Sequence, residues 1–136
     1  MTTNLHFEEA FPSIFESVVI AFKNKSKDIA HTLLMNLIHV LKTQNDSLKN
    51  IQFEIEQDRV SVEDMNLDEF YDNMYLLQDN LKKLLELSVK QKGISDIFMH
   101  FYKAVDELYT TVLVVTNEVG VLESYHLHEL KLKNAS

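Results

Sequence analysis

The chain has 136 residues, a formal net charge of −8 and no cysteine, which excludes disulfides, thiolate metal ligands and cysteine nucleophiles. Hydrophobic residues make up 46% and charged residues 25%, proportions typical of one globular domain rather than of a disordered chain. The longest apolar runs, such as Val18–Phe22, are too short to cross a bilayer, and the N-terminus lacks the pattern of a signal peptide. We therefore expect a single helical domain over residues 1–136, located in the cytoplasm and not in a membrane.

A first helix is predicted from apolar residues that recur at steps of three and four. These residues are Phe7, Phe11, Ile14, Val18 and Ala21. Because proline is tolerated best in the first turn of a helix, we expect this helix to start near Pro12 and to end near Asn24. Residues 4–11 could form a preceding helical turn, which the proline leaves open.

A second helix is predicted to begin after Ser26, which is a good residue for the N-terminal cap. Its apolar stripe is Ala30, Leu34, Leu37 and Leu41. The following residues 43–47 are mostly weak helix formers, so the sequence does not fix the residue at which this helix ends.

Residues 51–63 allow two interpretations. Leu48, Ile51 and Ile55 keep the helical spacing and would extend the second helix to about residue 58. Residues 51–56 and 60–63 also alternate between apolar and polar side chains, which predicts a β-hairpin with Ile55 opposite Val60. The β-branched residues favour the hairpin, although the Gln57–Asp58 turn is a weak hairpin signal.

The third helix has the clearest signals. Asn66 and Glu69 form a capping box, and Gly93 follows two lysines at the expected end of the helix. Its apolar face keeps the helical rhythm over seven positions, which are Leu67, Phe70, Met74, Leu77, Leu81, Leu84 and Ser88.

A fourth helix is predicted to start after Ser95, and the short link makes it an antiparallel neighbour of the third. Its inner stripe is Ile97, Phe101, Val105, Leu108, Val112, Val115 and Val119. Gly120 could end or kink this helix, and residues 122–132 could be helical or extended. The sequence therefore predicts a mainly α fold, an antiparallel bundle of about four helices with a possible short β-hairpin near residues 51–63.

The negative charge is concentrated in residues 54–79, which we call the acidic segment. It contains nine Asp and Glu residues and one base, Arg59, so its charge equals that of the whole chain. Some of these acids have an ordinary explanation, since Glu63, Asp64 and Asp68 fall near the start of a helix, where its dipole favours negative charge. Glu54, Glu56 and Asp58 would be unfavourable at the end of a helix, whereas in a hairpin they would form a charged edge that discourages strand pairing. In either fold they face further acids across the turn, and this suggests a functional surface.

Two tyrosines, Tyr71 and Tyr75, lie among these acids, four residues apart and beside the inner stripe of the third helix. One interpretation is that both are boundary residues with the ring packed inward and the hydroxyl in water. The other is that they are aromatic anchors in a surface that binds a basic partner, together with Met65 and Phe70.

Signals for catalysis or for a metal are weak. Asp28-x-x-His31 and Glu123-x-x-His126 resemble parts of a di-iron motif, but an up-down bundle would place them at opposite ends. The sequence has no glycine-rich phosphate loop and no Gly-x-Ser-x-Gly motif. We therefore expect no enzyme activity, no metal site and no cofactor.

The hypothesis that these observations favour is a non-enzymatic protein-binding module of the inhibitor, immunity, antitoxin or chaperone type. Its expected partner is a basic protein, whereas nucleic acid is not expected to bind directly because phosphates repel an acidic surface. The predicted partner-binding residues are Glu54, Glu56, Asp58, Glu63, Asp64, Asp68, Tyr71, Asp72 and Tyr75. The alternatives are a structural homo-oligomeric subunit, such as a homodimer, and a metal-dependent helical-bundle enzyme.

Overall fold

A computed structural model describes residues 5–24, 26–59 and 61–135 of the chain. These residues are almost entirely helical and contain no strand. The elements are α1 (Leu5–Lys23), α2 (Lys27–Glu56), a short 3₁₀ helix (Val62–Asp64), α3 (Leu67–Gln91) and α4 (Asp96–Ala135). The predicted mainly α bundle of four helices is confirmed for the part of the chain that the structure describes.

The helices pack in the spatial order α1, α2, α4, α3, so that α4 and α1 each contact both α2 and α3. Helices joined by short links run antiparallel, whereas α2 and α4 run in the same direction. Their direction follows from two hydrogen bonds, in which Asn45 of α2 donates to Glu107 of α4 and Gln52 donates to Glu118 farther along. Since α2 ends beside α4 and α3 begins there, residues 57–66 connect two helices at the same end of the bundle.

The core is a continuous cluster of apolar side chains from all four helices. At the end where α1 meets α4, Phe15 stacks on Phe101 with ring centroids 4.7 Å apart, and Phe98 packs edge-on against Phe15 and Phe22. All seven predicted inner residues of α4 are buried, and so are the five from Met74 to Ser88 on α3. The core stripe predicted for α4 is therefore confirmed, and that of α3 is confirmed from Met74 to Ser88, while its first two residues, Leu67 and Phe70, are half-buried against the same core.

The predicted β-hairpin near residues 51–63 is wrong, because α2 continues as one helix to Glu56. Helical spacing buries Ile55 in the core, whereas Phe53 of the same alternating run is exposed. An isolated two-stranded hairpin would be marginally stable, but a continuing helix packs along α4. Val60, which the hairpin would place opposite Ile55, lies outside the described residues.

The first helix starts earlier than predicted. It begins at Leu5 rather than near Pro12, which lies inside α1. Proline inside a helix removes a backbone hydrogen bond and costs stability, and the burial of Phe11 and Phe15 on either side of it offsets that cost. The side chain of Phe7, the first residue of the predicted stripe, lies outside the described part.

The remaining helix ends agree with the sequence in part. Asn66 caps α3 as predicted, with its side-chain oxygen 3.2 Å from the backbone N–H of Glu69. Ser26 occupies the N-cap position of α2, but its side chain makes no capping hydrogen bond. Gly120 does not end α4, and residues 122–132 are helical.

We expect Gly120→Ala to raise the free energy of unfolding by about 0.5–1 kcal/mol, because glycine inside a helix loses more backbone entropy on folding than alanine does. An added Cβ would have an ordinary contact, 3.8 Å from the Tyr71 hydroxyl oxygen. Urea unfolding of both proteins measures the difference. Gly93→Ala, at a site between helices with nothing within 4 Å, is the control and should change stability less. A clear loss of stability in Gly120→Ala would contradict this arrangement of α4.

Candidate functional site

Most of the acidic segment lies at one end of the bundle, where α2 ends and α3 begins, and its last acid, Asp79, lies near the middle of α3. Side-chain contacts of 3.2–3.7 Å fix this end against α4, and they join Gln52 to Glu118, Glu63 to His126, and Tyr71 to Glu123. The three contact residues on α4 lie within about 12 Å along its axis. We call this end, formed by residues 54–79 together with Glu118–His126, the acidic pole.

The end of α2 explains how Glu54 and Asp58 are arranged. Asp58 adopts a left-handed conformation with φ of 54°, and the backbone N–H groups of Asp58 and Arg59 bond to the carbonyls of Ile55 and Glu54. This pattern is a Schellman motif, in which Asp58 stands where glycine is usual. Arg59 turns back onto Glu54, with 3.5 Å between nitrogen and oxygen, and onto the ring of Phe53. Arg59, the basic residue of the acidic segment, is therefore paired with Glu54 of the same segment.

Glu56 at the end of α2 faces a second carboxyl group, that of Glu118 on α4. Gln52 donates hydrogen bonds to both, at 3.2 Å to Glu56 and 3.4 Å to Glu118. One carboxyl oxygen of Glu118 is buried without a hydrogen-bond partner. Burial raises the pKa of Glu118 above its usual 4.5, the nearby Glu56 raises it further, and the hydrogen bond from Gln52 opposes the shift. The fold therefore brings two like charges together at this point.

The acids at the start of α3 face solvent. Glu63, Asp64, Asp68 and Asp72 are all exposed, and Glu63 lies 3.7 Å from the imidazole of His126. Within the described parts of the chain, Glu54 pairs with Arg59 and Glu63 with His126, whereas Lys49 pairs with Glu107 outside the segment. The exposed carboxylates give this surface a negative potential that extends into solvent.

A groove of about 850 Å³ lies between the first half of α3 and the second half of α4. The rings of Tyr71 and Tyr75 stack with centroids 6.1 Å apart, and both line the groove together with Tyr125 and Glu123. The Tyr71 hydroxyl donates a hydrogen bond of 3.2 Å to Glu123. Burial is the main cause that raises the pKa of this phenol above its usual 10.0, and the charge of Glu123 and the hydrogen bond add to it.

Tyr71 and Tyr75 differ in their surroundings. Tyr71 is half-buried with its hydroxyl bonded to Glu123, as the boundary interpretation requires. Tyr75 is 55% exposed, which leaves much of its ring available for contact with another molecule. The boundary interpretation therefore fits Tyr71 better than Tyr75.

Most of the predicted site residues fall into two groups on either side of α4, and Glu63 and Asp64 lie in the 3₁₀ helix of the connection between these groups. Asp68 and Asp72 lie within one helical turn of Tyr71, beside the groove between α3 and α4. Glu54 and its neighbours Glu56 and Asp58 lie at the end of α2, on the side of α4 where Glu118 meets Glu56. The structure thus brings all of them to one end of the bundle but does not place all of them in one cavity.

Several residues of this end were not predicted from sequence as binding residues. Glu118 and Glu123 add carboxylates from α4, and Tyr125 adds a third aromatic ring to the groove. Glu123 does appear in the Glu123-x-x-His126 motif, but as a rejected metal-binding pattern. The place of Glu123 in the groove could be predicted only by knowing that α4 packs beside α3 in this register.

Within residues 5–24, 26–59 and 61–135, no group of three or more His, Asp or Glu side chains is arranged to hold a metal ion. Among the same residues, no helix is both long and apolar enough to span a membrane. Comparison of the chain with protein families, with curated proteins and with solved structures finds no match.

We expect Glu118→Gln to stabilise the fold at pH 7 by a few tenths of a kcal/mol to about 1 kcal/mol, the range for partly exposed charge interactions. A carboxyl group with a raised pKa in the folded state is stabilising below its unfolded pKa, and this contribution is lost as the pH rises through the folded pKa. The gain in stability should therefore become smaller as the pH is lowered from 7 to 4. Urea unfolding at the two pH values measures it.

Glu86→Gln, which alters an exposed carboxylate on α3, is the matched control and should have little effect at either pH. If Glu118→Gln is neutral or destabilising at pH 7, Glu118 and Glu56 do not repel each other as described.

Proposed function

We propose that this chain is a non-enzymatic protein-binding module that engages a basic protein partner through the acidic pole. The observation that carries the proposal is the convergence of the end of α2, the connection after it and the start of α3 on one short stretch of α4. The acidic segment has a charge of −8, and the rest of the chain is neutral in sum. An inhibitor, an immunity protein, an antitoxin or a chaperone would all use such a surface.

The proposed mechanism has a long-range part and a contact part. The carboxylates attract a positively charged surface over about 8 Å at physiological ionic strength, which raises the rate of encounter and orients the partner. Exposed apolar side chains then supply contact area, and Tyr75 is the most exposed aromatic residue within the acidic segment itself. The same negative potential repels the phosphates of nucleic acids, so the partner we propose is a protein.

A charge-reversal experiment tests this proposal. The partner is first captured from the source organism at low salt and released at high salt, and its association rate is then measured by stopped flow. Replacing Glu54, Glu56 and Asp58 by lysine should slow association at low salt by about tenfold or more, since steering typically contributes 10- to 1,000-fold. The difference from wild type should shrink as salt is added.

The matched control replaces Glu16, Glu86 and Asp106 by lysine, three exposed acids outside the acidic pole. Both triple variants change the net charge by the same amount, so only the position of the charge differs. If the two variants slow association equally, or if neither does, the acidic pole is not the binding surface.

One observation favours the homo-oligomer as a second candidate. The outer face of α4 carries four exposed apolar side chains at a spacing of seven, four and seven residues, as in a coiled-coil seam. They are Val114, Val121, Tyr125 and Leu132. The last turns of α4, from Leu127 to Asn134, are exposed at every residue. A second copy packed along this face would cover that apolar surface.

Sedimentation velocity at several concentrations tests self-association. If the chain is a homo-oligomer, we expect a dimer that dissociates when Tyr125 and Leu132 are both replaced by glutamate. Val89→Glu, at an exposed apolar residue of α3, should leave the dimer intact. A wild-type chain that stays monomeric at all concentrations would exclude this candidate.

A further inference from the structure

The groove between α3 and α4 combines aromatic rings with a fixed carboxylate. Tyr71, Tyr75 and Tyr125 contribute three rings, and Glu123 contributes the charge. Tyr125 is 67% exposed, more than any other large hydrophobic residue in the described part of the chain. Aromatic faces attract cations that lie within about 6 Å of the ring centroid, and a carboxylate adds direct charge pairing.

The carboxylate of Glu123 is held in position from inside the molecule. Its Oε1 atom accepts the hydrogen bond from the Tyr71 hydroxyl, and a carboxylate can accept further hydrogen bonds at both oxygens. Gly120 lines the same groove and has no side chain, and a Cβ added there would be in ordinary contact with the Tyr71 hydroxyl oxygen, at 3.8 Å. A donor from another molecule can therefore approach Glu123 without displacing a side chain at position 120.

The charges around the groove select a cation. Asp68, Asp72 and Asp79 lie within one turn of Tyr71 or Tyr75 on α3, and all three are exposed. Among the described residues that line the groove, none is a lysine or an arginine. An anionic group entering the groove would meet the carboxylate of Glu123, and no lysine or arginine among the described lining residues would compensate it.

We infer that this groove binds an arginine side chain of the basic partner. The inference rests on the proposed function and adds to it the residue type that the partner must present. Arginine is favoured over lysine because its planar guanidinium can lie flat on a tyrosine ring while its N–H groups reach a carboxylate. Both kinds of cation lie over rings within the chain, Arg59 over Phe53 at 5.7 Å and Lys92 over Tyr102 at 5.0 Å. Arg59 also reaches a carboxylate, that of Glu54, which is the combination we infer for the groove.

Two synthetic peptides of equal charge test the inference, amidated hexaarginine and amidated hexalysine. Isothermal titration calorimetry at low salt measures the affinity of each for the wild-type chain and for Tyr75→Leu and Tyr125→Leu. We expect the wild-type chain to bind hexaarginine more tightly than hexalysine. The affinity for hexaarginine should fall by about twofold to fivefold in each tyrosine variant, the range for loss of one exposed cation–π contact, and the preference for hexaarginine should fall with it.

Tyr102→Leu is the control, because this tyrosine contacts Lys92 at the opposite end of the bundle. It should keep the wild-type preference for hexaarginine. Nuclear Overhauser contacts between the arginine δ protons and the ring of Tyr75 provide a second readout that does not depend on affinity.

The outcomes separate this inference from the proposed function. If both peptides bind with salt dependence but the tyrosine variants keep the full preference for hexaarginine, the arginine site is wrong and the acidic pole remains a binding surface. If neither peptide binds even at low salt, the proposed attraction of basic chains fails, and the arginine site fails with it. Loss of the preference in the groove variants alone supports the inference.

Discussion

The apolar stripe of α4 packs against both α2 and α3, and the arrangement of the whole molecule depends on that shared contact. The stripe from Ile97 to Val119 is buried at every predicted position, and burial of such side chains is the main favourable contribution to folding. Because α2 and α3 both lie along the same helix, the chain between them has to stay at one end of the bundle. The position of the acidic segment is therefore a consequence of how the core is packed.

This arrangement opposes local electrostatics in two places. The last turn of α2 contains acids and no base, although the C-terminal end of a helix disfavours negative charge. Glu56 and Glu118 then approach each other across the α2–α4 contact, where burial raises the pKa of Glu118. Both features reduce stability, and the apolar burial along α4 offsets that cost. Unfavourable local charge within a stable fold is more often found at functional surfaces than elsewhere.

Most of the fold could be predicted from sequence because α3 and α4 keep a strict helical spacing and α3 has a capping box. Residues 51–56 could not be assigned in this way, since Ile51 and Ile55 fit both the helical and the alternating pattern. Packing of α2 against α4 decided between them, and that contact joins residues more than 60 positions apart. The predicted start of α1 was wrong for a related reason. Burial of apolar residues around Pro12 outweighed the preference of proline for the first turn of a helix.

The candidate site was predictable in its charge but not in its shape. The concentration of acids in residues 54–79 is visible in the sequence, whereas the groove requires the register of two helices, which brings Tyr71 to Glu123 across 52 positions.

Tyr125 belongs both to this groove and to the exposed stripe of α4. A second copy packed on that stripe would cover part of the groove, so the two proposed modes of binding compete for the same ring. Binding of a basic partner at Tyr125 would then oppose self-association, and the acidic pole would favour the partner because two copies of it repel each other.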